Sequence, residues 1–370
     1  MQKKQVAVLD VGSSKITAVL GERGINKTFI VKGRFSYEYD GFGDGAFFDE
    51  ERLKRVLYAV GEDVRKASHG SVNTIYVGVP GEFTNVIVRE SQISFSKKKK
   101  IQDADVDALF EEAFVLASTK HTLINRSAIY YELDDFRRLA NPVGAVGEIL
   151  KGKLSFIVCN NYFIESVEPA LKAVGFSTVE CVSSMLAEAL YLFEPEERDR
   201  VSVLADIGHI TTTMSIILGD GILFQKSFPY GGGYITAELV EKFDMDFSVA
   251  EKLKRKINLS QRVTASSTEV VEDDNGRYYP FEEVQGRMIK SLDEFCEQIS
   301  KVLENSGYTV PEYVPLSITG GGIAYIRGAK EHVAGRVGMV VEVKAPKVPL
   351  MDKPTQSNLL ALLDLALEQN

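Results

Sequence analysis

The chain has 370 residues, 45% hydrophobic and 26% charged. That balance excludes a small disulfide scaffold, a disordered chain and a membrane-embedded one, and the length implies roughly two to three domains. Lys and Arg number 43 against 52 Asp and Glu, a net charge of −9, which argues against nonspecific nucleic-acid binding because that rests on neutralising phosphates.

The three cysteines, Cys159, Cys181 and Cys296, lack the spacing of a disulfide framework or a metal knuckle and fit a reducing cytoplasm. Only four apolar residues, Val6 to Leu9, precede Asp10, too few for a signal peptide. No run reaches the ~18 uninterrupted apolar residues of a membrane span. The sequence therefore reads as soluble.

The first predicted strand, from Val6, ends in Asp10-Val-Gly12. Ser13, Ser14 and Lys15 follow, then a second apolar strand, a Gly21-Glu turn and a third strand over Thr28 to Phe35. Further on, Lys97 to Lys100 read as a solvated loop tip or a charged partner contact. A helix is predicted over Asp103 to Leu116, with Val106, Leu109, Phe110, Ala113 and Phe114 at helical spacing. The opening pattern then returns. A strand from Val203 ends in Asp206-Ile-Gly208, His209 to Thr212 follow, and a second strand leads through Gly219-Asp-Gly221 to a third, Ile222 to Phe228. Asp10 and Asp206 stand 206 − 10 = 196 positions apart. Two matching three-strand contexts imply a fold built of two similar halves.

A tight turn between strands exposes consecutive N–H groups, and glycine lets the main chain approach a phosphate. Ser13, Ser14, Thr211 and Thr212 add short hydroxyl donors. Asp10 and Asp206 cannot hold phosphate, since like charges repel. They can hold Mg²⁺ through retained waters. Two such turns face to face would clamp a polyphosphate. Val314 to Thr319 then runs as a strand into Gly320, Gly321 and Gly322 and a possible helix start, where a base or ribose could lie on bare backbone.

In this order the motifs resemble the actin-like ATPase superfamily: Asp10–Lys15 its first phosphate motif, Asp206–Thr212 its second, Thr319–Gly322 its adenosine motif. The resemblance is closest to the FtsA branch, bacterial cell-division proteins that tether FtsZ to the membrane. It extends through Val77 to Thr84 with Arg89, through Leu133-Asp-Asp, Pro142-Val-Gly144 and Leu150-Lys-Gly152, through Phe228 to Thr236, and through Ala250 to Lys254. It covers nearly the whole chain.

The resemblance implies an α/β, actin-like (ribonuclease H-like) two-lobed fold with duplicated cores and an FtsA-type 1C insert. Subdomain 1A would comprise 1–80, 162–190 and 346–370, the 1C insert 81–161, subdomain 2A 191–230 with 306–345, and subdomain 2B 231–305. ATP and Mg²⁺ would be bound by Asp10, Gly12, Ser13, Ser14, Lys15, Asp206, Gly208, Thr211, Thr212, Gly232, Gly233, Glu251, Lys254, Gly320, Gly321 and Gly322, with Asp10 and Asp206 on the metal side. Glu251 and Lys254 share one helix face and read either as nucleotide contacts or as an exposed ion pair. Partners implied are the chain itself in a filament, the FtsZ tail through 2B, other division proteins through 1C, and no nucleic acid. The location implied is cytoplasmic, at the inner face of the membrane at the division site.

Three departures from the family pattern bear on activity. His209 and Ile210 replace the usual glycines of the second turn; His209 reads as a phosphate donor or a surface residue. Ser183 stands where the superfamily carries its hydrolytic Gln or Glu, with Glu188 further along. Serine activates water poorly, so the chain is expected to be at most a slow ATPase. Asn358 to Asn370 is strongly apolar and lacks the basic residues of an interfacial helix. It reads as a core helix, so membrane contact would be indirect or made by a C-terminal helix beyond this sequence. The alternatives are a type IV pilus assembly adaptor of the same superfamily or a small-molecule kinase.

Overall fold

The computed structural model describes residues 5–25, 28–262 and 269–369. Strands β1 (Gln5–Val11), β2 (Lys15–Arg23) and β3 (Phe29–Glu38) form an antiparallel meander. A small hairpin, β4 (Phe42–Gly43) and β5 (Ala46–Phe47), follows. Helix α1 (Glu50–Ala67) then crosses to β6 (Thr74–Val79), which lies parallel to β1. In α1, Leu53, Val56, Leu57, Val60 and Val64 recur every three or four residues and are buried. The Asp49 carboxylate caps its first turn by accepting from Arg52 N at 2.8 Å.

Between β6 and the last strand of this sheet stands a separate unit. It contains β7 (Thr84–Lys100), α2 (Asp103–Ala113), β8 (His121–Leu133), β9 (Arg138–Leu139) and β10 (Val146–Asn160), in sheet order β7-β10-β8-β9. Leu109 and Phe110 of α2 cover one face, against Leu150, Leu154 and Phe156. Helix α3 (Asn161–Val174) and β11 (Thr178–Ser183) complete the first sheet, in order β11-β6-β1-β2-β3. Helices α4 (Ser184–Leu192) and α5 (Pro195–Arg198) lead into the second half.

That half repeats the plan. Strands β12 (Ser202–Ile207), β13 (Thr212–Leu218) and β14 (Gly221–Phe228) form a second meander. Helices α6 (Gly232–Phe243) and α7 (Phe247–Lys256), the hairpin β15 (Val270–Glu272) and β16 (Tyr278–Pro280), and α8 (Phe281–Glu304) make the long crossover to β17 (Leu316–Thr319). Helix α9 (Ala329–Val337) and β18 (Val341–Val343) follow, giving the order β14-β13-β12-β17-β18, and α10 (Ser357–Glu368) ends the described chain. In both sheets an antiparallel meander is extended by two parallel strands beside its first strand. The inferred duplication is real.

The two halves exchange helices. Helix α4, which follows the first sheet, packs Met185, Leu186 and Ala189 on Leu204, Ile217 and Ile222 of the second. Helix α10, which follows the second sheet, packs Leu360, Leu362 and Leu363 on Val6, Val8 and Val19 of the first. The apolar C-terminal run is thus a core helix. The separate unit also touches both halves. Ser155 Oγ donates to Ile222 O at 2.8 Å, and Gln225 Nε2 donates to Thr84 Oγ1 at 2.7 Å. At Gly219 (φ +59°) a Cβ would come within 1.9 Å of Ile129 O, so only glycine permits this approach.

Several boundaries differ from expectation. β3 begins at Phe29, and α2 stops at Ala113 because Phe114 turns extended. Lys97–Lys100 is not a loop tip but the end of the 17-residue strand β7, which forms one edge of its sheet. Lysines on an edge discourage pairing with another chain. The three glycines after β17 lead into a turn rather than directly into a helix, which begins only at Ala329.

Candidate functional site

The turn Gly12–Ser14 joins β1 to β2, and Gly12 N donates to Lys15 O at 3.1 Å. Its counterpart Gly208–Thr211 joins β12 to β13 with the same closure, Gly208 N to Thr211 O at 2.9 Å. The two turns face each other: Ser13 Oγ accepts from Ile210 N at 3.0 Å, across 197 positions of sequence. Gly41 (φ +87°) fits behind the first turn, where a Cβ would stand 2.2 Å from Ser13 O. Tyr39 braces the same turn, its hydroxyl donating to Gly12 O at 2.9 Å.

Beside this junction opens a cavity of about 230 Å³. Its first-half wall is Asp10, Gly12, Ser13, Ser14, Lys15 and Glu188, and its second-half wall is Asp206, Gly208, His209, Gly232, Glu251, Lys254 and Gly320 to Gly322. Of the sixteen residues expected here, Thr211, Thr212 and Gly233 are not on the wall. Thr212 is buried and donates to Tyr230 O at 2.6 Å. Thr211 serves the turn closure, and Gly233 N donates to His209 O at 2.8 Å. The Thr212 hydroxyl, at the first position of β13, is thus spent on Tyr230 O rather than offered to the cavity.

The glycines have a second purpose. A Cβ at Gly232 would stand 2.3 Å from Gly322 O, and one at Gly322 would stand 2.6 Å from Gly208 O. A Cβ at Gly320 (φ +84°) would stand 2.4 Å from Asp206 Oδ1. Three loops thus close on one another backbone to backbone. Gly321 alone of its triplet is exposed and offers the bare main chain expected of a base or ribose surface.

Glu251 and Lys254 share a face of α7, as expected, but the pair is not an exposed one. The Lys254 side chain is 4% exposed, and its ammonium donates to Gly232 O (2.8 Å), Thr236 Oγ1 (2.9 Å) and Glu251 Oε2 (2.6 Å). All three of its protons are used inside the protein, so it ties α7 to the start of α6 rather than lying along a sugar. Burial pushes its pKa down, against the pull of Glu251. Burial would raise the Glu251 carboxyl, but Lys254 and the hydrogen bonds hold it below its ordinary value. The His209 ring meets Phe247 edge-on at 5.6 Å, and burial lowers its pKa. It sits on the wall as a neutral, half-buried imidazole.

Asp10 and Asp206, each one residue before the end of its strand, both line the cavity. Burial and the neighbouring Asp206 push Asp10 up to about 7, against Lys15 and Arg34. Burial pushes Asp206 up to about 6. Ser183 does not reach the cavity. It caps α4, its Oγ accepting from Leu186 N at 3.2 Å, and it is buried. The residue that α4 presents instead is Glu188, 1% exposed, with burial, Asp206 and Asp10 all raising its carboxyl well above its ordinary value. Its only signal in the sequence is a lone acid inside the apolar run Met185–Leu192.

The short turn before α10 and the start of α10 itself bring two residues that sequence reasoning missed. Thr355 and Asn358 line the cavity, and Asn358 Nδ2 donates to Asp10 Oδ1 at 2.7 Å, 348 positions away. Among the described residues no group of three or more His, Cys, Asp or Glu side chains is arranged to grip an ion directly, and no helix is long and apolar enough to cross a membrane.

Comparison with known proteins bears on the family and the fold. Residues 203–361 match the family described as Cell division protein FtsA. The FtsA of Buchnera aphidicola subsp. Baizongia pistaciae is 22% identical over 334 residues, 87% of this chain and 79% of its own. That of Pseudomonas aeruginosa is 20% identical over 354 residues, 92% and 84% of the two chains. Among solved structures, a chain of the PilM–PilN type IV pilus biogenesis complex superposes with a TM-score of 0.66 at 17% identity over 99% of both chains. MreB5 of Spiroplasma citri bound to ADP does so with a TM-score of 0.55 at 12% identity, again over 99% of both. The fold is actin-like, and the resemblance to FtsA drawn from the motifs stands.

Proposed function

We propose that this chain is an actin-like protein of bacterial cell division that binds ATP with Mg²⁺ in the cleft between its two halves. One observation carries the reading: two strand-ending Asp-x-Gly turns, far apart in sequence, face each other at a cavity and share a hydrogen bond. The hydroxyls of Ser13 and Ser14, both on the cavity wall, suit phosphate oxygens. Lys15, exposed at the mouth, adds charge. Gly321 offers the adenosine surface and Glu251 an acceptor for ribose hydroxyls. The cavity, about 230 Å³, lies just below the ~300–1,000 Å³ usual for small-molecule sites. Nucleotide therefore enters with some parting of the halves, at the expense of the Ser13–Ile210 bond.

The residues fit Mg²⁺. The donors at the base of the cavity are carboxylate oxygens, the hard ligands that Mg²⁺ takes alongside retained waters and phosphate. When bound, the ion would neutralise phosphate charge. The chain's own part is to hold it through Asp10 and Asp206. Ser183 is committed to capping a helix, so turnover is expected to be slow or absent. Polymerisation, contact with the FtsZ tail through 231–305 and with other division proteins through 81–161, and indirect attachment to the inner face of the membrane complete the proposal.

Calorimetry with Mg-ATP tests it. Asp10→Ala and Asp206→Ala should each weaken binding at least about tenfold. Unchanged affinity in both would refute the paired-turn site. The pilus-adaptor reading keeps support from the PilM–PilN superposition over 99% of both chains. Capture of a pilus membrane protein's cytoplasmic tail, with no binding to the FtsZ tail, would select it.

A further inference from the structure

Glu188 is a feature of the cleft that the nucleotide reading leaves unused. It lines the cavity, yet neither of its carboxylate oxygens has a hydrogen-bond partner in the protein. A buried charged group without a partner is strongly disfavoured. Neutralising it does not resolve this, because a protonated carboxyl still carries an O–H that needs an acceptor. The acceptors near it are themselves acidic, Asp206 and Asp10. Asn358 repeats the pattern: its Nδ2 is bound to Asp10 Oδ1, while its own Oδ1 is buried and unpartnered. The base of this cleft thus collects acceptors from β1, α4, β12 and α10 and supplies almost no donors.

We propose that Glu188 is the third carboxylate of a divalent-cation site, with Asp10 and Asp206, that holds a hydrated ion before any nucleotide arrives. The inference rests on the cleft being the ligand site proposed above. The carboxylates do not grip one ion directly. The ion keeps its waters, and those waters donate to Glu188, to Asn358 Oδ1 and to the two aspartates, the outer-sphere mode that Mg²⁺ favours. Asp10 and Glu188 come from the first half and Asp206 from the second, so the ion also links the two halves through acids that each contributes. An ordinary water could meet one orphaned oxygen but would not favour the ionised form of several neighbouring acids at once, as a cation does.

The experiment uses the whole chain, stripped with EDTA and free of nucleotide, titrated with Mn²⁺ and followed by electron paramagnetic resonance. The wild type should bind one Mn²⁺. Glu188→Gln, which keeps the shape, should bind it at least about tenfold more weakly. In the stripped state the variant should melt at a higher temperature than wild type, because the unpaired carboxylate is gone, and it should gain less on adding Mn²⁺. Glu188→Leu should act in the same two directions, which separates loss of the ion from misfolding. The proposal is overturned if wild type binds Mn–ATP but no Mn²⁺ alone, or if Glu188→Gln binds Mn²⁺ as wild type does. Binding of neither Mn²⁺ nor Mn–ATP by wild type would overturn the nucleotide reading as well.

Discussion

Replacing Lys254 with Met removes a buried ammonium and leaves its acceptors behind. The Lys254 side chain is 4% exposed and that of Glu251 is 25% exposed, and three acceptors lie within 2.9 Å of the ammonium nitrogen. Removing one partner of a buried pair costs roughly 3–5 kcal/mol. Here the loss should fall at the low end, about 3 kcal/mol. Glu251 keeps the Thr236 hydroxyl at 2.6 Å and Arg255 at 3.0 Å, and it has some access to water. Gly232 O, by contrast, loses the ammonium and keeps a longer contact from the Thr236 hydroxyl at 3.2 Å. Urea unfolding followed by circular dichroism should show a lower midpoint with an unchanged slope. The double variant Glu251→Leu with Lys254→Met removes both charges and should recover at least about 1 kcal/mol. If all three ammonium protons are committed internally, the folded single variant should still bind Mg-ATP nearly as well as wild type. A loss of stability under about 1 kcal/mol, or a double variant no better than the single, would refute the structural role. A collapse of nucleotide affinity at unchanged stability would restore direct contact.

Three further outcomes are expected. Gly321→Leu, at an exposed site where a Cβ would meet only Thr355 Cγ2 at 2.9 Å, should cost under about 0.5 kcal/mol in stability. It should nonetheless lower Mg-ATP affinity at least about tenfold in calorimetry, a change of ~1.4 kcal/mol. Gly219→Ala puts a Cβ 1.9 Å from Ile129 O at φ +59°. It should destabilise by about 1–3 kcal/mol and expose residues 84–160 to limited proteolysis. Ser13→Ala strips Ile210 N of its partner and should cost about 1 kcal/mol in the nucleotide-free protein, read as a small drop in urea midpoint.

The Gly219 contact also changes what a deletion of 81–161 would mean. That unit covers part of β14 through Ser155 and Gln225 and receives the Gly219–Gly221 tip beside Ile129. Removing it would uncover the second half as well as any partner surface. A filament lost on deletion would therefore not by itself assign filament contacts to this unit, whereas point changes on its outer strands would.

The paired Asp-x-Gly turns, the duplicated meander and the buried character of the last helix were legible in the amino-acid order because each is a local signal. A turn is written in adjacent residues, a strand in a short apolar run, and a helix that is apolar nearly all round has nowhere to lie but in a core. Position along the chain says nothing, however, about which side chains meet across hundreds of residues. Asn358 reaches Asp10 only because α10 leaves one sheet to pack on the other. Lys254 is tied inside the protein only because Gly232 O and Thr236 fold onto it. Glu188 is an isolated acid in an apolar run until α4 carries it to the cavity wall that Asp10 and Asp206 share. The free energy of a buried charge depends on its neighbours in space, and those neighbours exist only once both halves have closed around it.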